Sequence, residues 1–153
     1  MPIQHVRQVH SSGCFIACLA MLLNKTYDEA FTLVYPEMDP MKEYDAPGLK
    51  SNHIDQAATE VMEKLGFKVK RSKYKKLKSL MRYARKHALL IIRWRWGGDA
   101  ASTEDNPWLC HAVVFDADSK KFLDPASYGR EIKLSSYQKQ LDSIFYVEVP
   151  AAA

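Results

Sequence analysis

A chain of 153 residues is long enough for one domain with a real core, since a domain near 150 residues buries roughly two thirds of the surface its unfolded chain exposes. The composition, 47% hydrophobic with six Gly and seven Pro, excludes low-complexity and repeat architectures. No apolar run approaches the roughly 18 residues of a membrane span and the start lacks the layout of a secretory signal, so a cytoplasmic setting is expected. The formal charge of +4 is unevenly spread: residues 1–63 carry four Lys/Arg against nine Asp/Glu, residues 99–153 five against nine, and residues 64–98 thirteen with no acid.

In chain order, Cys14 to Leu23 is apolar all round, which predicts a central buried helix with Ser11 or Ser12 as its N-cap and Gly13 shaping the way in. Thr26 and Glu29 have capping-box spacing, so a second helix is expected to run to about Val34, before Pro36. Residues 37–50 read as loop. Asn52 then caps a helix with Ile54, Ala57, Ala58, Val61, Met62 and Leu65 at helical spacing, stopped by Gly66. Phe67 and Val69 alternate with lysines as a half-buried strand, and Leu77, Leu80, Met81 and Ala84 mark a helix with a basic outer face. Leu89 to Trp94 is a strand, residues 97–107 a polar loop, and Cys110 to Phe115 with Phe122 to Asp124 a hairpin. A short helix near Ser136 to Leu141 and a last strand, Ile144 to Val149, complete an α+β order with mostly antiparallel strands.

The three cysteines, Cys14, Cys18 and Cys110, are an odd count in a chain without an export signal, so free thiols are expected. Cys14 is predicted at a helix start, where unpaired N–H groups favour a thiolate, and an imidazolium nearby would lower its pKa further. Buried cysteines are more often plain core residues, so the case rests on what surrounds this one. His111 opens an otherwise apolar strand. If the hairpin turns at Asp116-Ala117-Asp118-Ser119 through a two- or four-residue loop, His111 lies directly opposite Asp124, close enough for the carboxylate to hold one ring nitrogen and turn the other to a nucleophile. A three-residue loop would break that pairing. Gln8, six residues before Cys14, could donate to an oxyanion on the carbon that Cys14 attacks.

Gln8, Ser12-Gly13-Cys14, Ala17-Cys18-Leu19-Ala20-Met21-Leu22, His111-Ala112-Val113-Val114 and Asp124-Pro125 together resemble the papain-like cysteine peptidases of the bacteriocin-processing type, which remove double-glycine leaders, and their stand-alone relatives. The resemblance extends over nearly the whole chain. It implies a papain-like fold, N-terminal helices carrying the Cys against a sheet carrying the His and Asp, in a single domain over residues 1–150. Residues 151–153 are then a disordered tail or a cloning scar. It also implies oxyanion Gln8, nucleophile Cys14, base His111 and orienting Asp124, acting on a peptide or isopeptide bond of a peptide or protein substrate, with no cofactor. Phe15 stands where the family usually has Gly, which points to altered substrate access. No transporter segment follows, so cleavage coupled to export is not expected.

Cys14, Cys18, His10 and His111 could be drawn as a zinc cluster, but structural zinc favours tightly spaced ligand pairs, and no metal site is expected. Cys18 and Cys110 read as packing. The basic strip, with Lys70, Arg71, Lys73, Lys75 and Lys76 at its densest part, predicts an anionic partner, either nucleic acid or an acidic protein. Trp96, with Trp94, either stacks on bases or lines a substrate groove, or packs into the core as an alternate residue of a strand end. Two rival readings use the same fold: a catalytically silent module that binds polyanions through residues 64–98, and an acyltransferase with the same triad.

Overall fold

The computed structural model describes residues 3–9, 13–41, 54–94, 109–126, 138 and 141–150. Helices α1 (Cys14–Leu23), α2 (Tyr27–Val34) and α3 (Ile54–Lys64) come first, then β1 (Lys68–Arg71), α4 (Leu77–Tyr83), β2 (Ala88–Trp94), β3 (Leu109–Asp116), β4 (Lys121–Leu123) and β5 (Leu141–Glu148). The expected α+β architecture is what forms, and every strand pair in the sheet is antiparallel.

Local signals in the sequence set the helix ends. The capping box of α2 is complete: Glu29 N–H donates to Thr26 Oγ1 (3.1 Å) and Thr26 N–H to Glu29 Oε1 (3.0 Å). Asn24, left-handed at φ 54°, closes α1 by sending Lys25 N–H back to Ala20 O at 2.9 Å. Gly66 does the same for α3 at φ 92°, with Phe67 N–H on Met62 O at 3.0 Å.

The sheet order is β1-β5-β2-β3-β4, and helices cover both faces. Alternation along β2 divides the core. Leu89 and Ile91 pack with Phe15, Leu19, Phe31 and Met62 under the N-terminal helices, while Leu90 and Ile92 pack with Leu77 and Leu80 of α4. Two-sided burial explains why Ala88 to Ile92 is one apolar run rather than an alternating one. Met81, expected on the inner face of α4, is 36% exposed. Leu141, expected at the end of a helix, begins β5; of the rest of that helix only Gln138 lies within the described residues.

The hairpin differs from expectation in its turn. Asp116 pairs with Lys121 and Val114 with Leu123, so the loop is Ala117 to Lys120, with Lys120 left-handed at φ 58°. The register is displaced by two residues from the one that would set His111 opposite Asp124. Because the displacement is even, the two still share a sheet face, as diagonal rather than direct neighbours. Asp116 fixes the turn: its carboxylate accepts from Asp118 N–H (3.0 Å), Ser119 Oγ–H (2.7 Å) and the distant Ile3 N–H (2.9 Å).

Candidate active site

Cys14 is the first residue of α1 and is half-buried. The N-cap is Gly13, with no side chain to accept from the first turn; Ser11 and Ser12, the expected caps, lie outside the described residues. The leading N–H groups of the helix therefore receive no side-chain acceptor from the cap and keep their positive end toward Cys14. Packing aims the helix. Phe15, Ile16, Leu19 and Ala20 share one core with Ala112 and Val114 of β3, so α1 lies across β3 and brings its start to His111. Phe15 is buried in that core rather than exposed beside the thiol.

His111 is buried, and its Nε2–H donates to Asp124 Oδ1 at 2.6 Å. Burial, the largest single influence, pushes its pKa down. Hydrogen bonds to Asp124 and Cys14, with the charges of both, outweigh burial and raise it from 6.5 to about 9. Nε2 is committed to Asp124, which leaves Nδ1 for Cys14. Asp124 is buried and sits just past the last ladder pair of β4; its Oδ1 also accepts from Ala126 N–H at 2.8 Å. The structure thus joins Cys14, His111 and Asp124, although the hairpin route expected to join the last two is replaced by a diagonal one.

Gln8 is half-buried, and its backbone N–H donates to Pro125 O at 3.2 Å, beside Asp124. Sequence reasoning missed a residue three positions earlier. His5 Nε2–H donates to the backbone carbonyl of Asp124 at 2.7 Å. No periodicity marks a His in a terminal coil segment, and only its spacing from Gln8 was available as a signal.

Cys18, one turn further along α1, is fully buried; burial, then the charges of Cys14 and Asp124, push its thiol pKa well up. It belongs to the core. Cys110 lies in β3, and His10 falls outside the described residues. A separate group, His87, Asp116 and Asp118, brings potential ligand atoms within 4.8 Å of one another at the hairpin turn. His87 Nδ1 there accepts from Ala117 N–H (3.0 Å), and both Asp116 oxygens hold N–H or O–H donors, so these groups are committed to the turn.

The residues of the basic strip gather elsewhere. Lys70 and Arg71 are on β1, at the opposite sheet edge from β4, and Lys73, Lys75 and Lys76 follow in the exposed crossing to α4. Four interstrand steps separate those edges, roughly 19 Å. The strip is also less uniform in space than in sequence, because Glu148 of β5 pairs with Lys86. Gln138 pins the crossing, accepting from Leu77 N–H (2.8 Å) and donating to Lys75 O (2.6 Å). Trp96 lies outside the described residues.

A sequence model of the Peptidase C39 family matches residues 2–101, well over half of the chain and including Gln8 and Cys14. The chain belongs to the Peptidase C39 family. Its papain-like C39 fold is also that of the peptidase domain of Streptococcus ComA, a bifunctional ABC transporter involved in a quorum-sensing pathway. That crystal structure matches 97% of this chain and 98% of its own, with a TM-score of 0.56 and 16% sequence identity. No curated protein matches the sequence. As a C39 member the chain is a cysteine peptidase, and a peptide is its substrate. Among the described residues no helix is long and apolar enough to cross a membrane.

Proposed function

We propose that this C39 peptidase uses Cys14 as nucleophile, His111 as its proton partner, Asp124 as the group that orients His111, and Gln8 with the first N–H groups of α1 as the oxyanion site. The observation that carries this reading is the position of His111, buried between Asp124 and Cys14 and holding its proton to about pH 9. In the proposed reaction the Cys14 thiol passes its proton to His111, giving a thiolate–imidazolium pair. The thiolate attacks the carbonyl carbon of a peptide or isopeptide bond. The resulting oxyanion lies at the helix start, where N–H groups and the Gln8 amide stabilise it. As the tetrahedral centre collapses, His111 gives its proton to the leaving amine and a thioester to Cys14 remains. Water, deprotonated by His111, then releases the acid and regenerates the thiol. A cytoplasmic setting suits such a free thiol.

An electrophilic peptide-like probe tests this. It is expected to modify Cys14 far faster than Cys18 or Cys110, and His111→Ala is expected to slow it. Equal labelling of all three cysteines in the folded protein would overturn the assignment, and so would rapid Cys14 labelling that ignores His111.

A second proposal concerns partners. The exposed cations Lys70, Arg71, Lys73, Lys75 and Lys76 form an anion-binding face that takes nucleic acid or an acidic protein. Retention on heparin that falls steeply with added salt and weakens when these lysines become glutamine is the expected result. Salt-independent retention would remove this reading and leave a solvated surface.

A further inference from the structure

The acid of the site is held from outside the sheet. β4 is an edge strand of three residues, and Asp124 comes after its last ladder pair. The ladder alone therefore does not fix the carboxylate. Residues 3–9 run past this point and bind the β3–β4 hairpin at both ends. Ile3 N–H donates to Asp116 Oδ2 at the turn (2.9 Å), His5 Nε2–H to Asp124 O (2.7 Å), and Gln8 N–H to Pro125 O (3.2 Å). Ile3 and Val6 seat the segment against the core under α1, whereas Gln4 and Arg7 are exposed. Of these bonds, only the one from His5 ends on the residue that orients His111.

We propose that His5 is a positioning residue: its imidazole N–H clamps the Asp124 backbone and so holds the carboxylate against His111. This rests on the triad reading given above. A carbonyl only accepts, so the clamp requires the proton on Nε2, and an amide of similar reach can replace it. A benzyl side chain cannot. Losing the clamp lets Asp124 swing with the end of β4, and misplacement of a catalytic group by about 1 Å costs about a hundredfold in rate. The same segment leads to Gln8, so the strap registers the oxyanion donor and the triad acid against each other.

The test uses the full chain and iodoacetamide, with mass spectrometry following alkylation of Cys14 against pH. Wild type, His5→Phe, His5→Gln, Asp124→Ala and the double variant His5→Phe/Asp124→Ala are compared, with circular dichroism to confirm folding. In His5→Phe, alkylation near neutral pH is expected to fall about tenfold to a hundredfold. Its alkaline inflection moves down toward that of an ordinary imidazole, as in Asp124→Ala. His5→Gln restores both, and the double variant is no slower than Asp124→Ala alone, because His5 acts through Asp124. A His5→Phe profile identical to wild type, or single-variant losses that multiply in the double variant, overturns the clamp while leaving the triad intact. If Asp124→Ala itself leaves the profile unchanged, the triad reading fails first and the clamp fails with it. If His5→Phe does not fold, His5→Gln decides: an impaired His5→Gln with a wild-type alkaline inflection overturns the proposal.

Discussion

The two edges of the sheet use charge in opposite ways. At the β1 edge cations are numerous, close in sequence and in water, where most of their mutual energy is screened. At the β4 edge Asp118, Lys120 and Lys121 are exposed, but His111, Asp116 and Asp124 are buried and hydrogen-bonded: His111 to Asp124, and Asp116 to three donors. At the second edge His111 is carried to a pKa of about 9. Density of charge in a sequence locates a surface; desolvation with a committed partner locates chemistry.

That contrast can be broken or sharpened by experiment, and the largest effect belongs to the thiol. Cys14→Ala is expected to lower peptidase activity by at least about a thousandfold, measured on any peptide the wild type cleaves. Next comes Asp124→Asn, which keeps the shape but lets the amide hold His111 in the wrong tautomer; a loss of about a hundredfold or more in kcat is expected, with little change in KM. The third effect is on stability. The folded protein keeps the His111 proton to about pH 9, whereas the unfolded chain gives it up near 6.5. A pKa raised by folding stabilises fully below about pH 6.5, and that contribution is lost as pH rises through about 9. Urea unfolding of wild type at pH 6 and pH 10 should differ by on the order of 3 kcal/mol from this group, and His111→Gln should remove that part of the difference, leaving the part due to the raised pKa of Cys18. The smallest effect belongs to the other edge. Lys73→Gln with Lys75→Gln and Lys76→Gln should change unfolding free energy by no more than about 0.5 kcal/mol each, while weakening retention on heparin. A larger stability change would mean that this edge, too, is built on specific contacts.

Much of this was legible in the sequence where a local rule governs. Thr26 and Glu29 announced α2, Gly66 ended α3, and the even spacing of the hairpin set His111 and Asp124 on one face whichever even register formed. The register itself was not legible. Lys120 takes the left-handed position that Gly or Asn usually signals, and the turn is chosen by Asp116, one of whose three donors comes from Ile3 at the far end of the chain. His5 escaped for a related reason. Its partner is a backbone carbonyl, which leaves no pattern in side-chain chemistry. The basic run looked uninterrupted because Glu148, which enters it in space, is far away in sequence.

The place of β5 has a consequence for when the enzyme can exist. This last strand lies between β1 and β2, pairing Val69 with Val147 on one side and Leu89 with Phe145 on the other. Until it is synthesised, β1 has no strand partner among the described residues, and Leu89 and Leu90 of β2 present an open edge. Contacts so distant in the chain are closed late and slowly. A chain made only as far as β4 would already carry Cys14, His111 and Asp124 while still lacking the strand that joins β1 to β2.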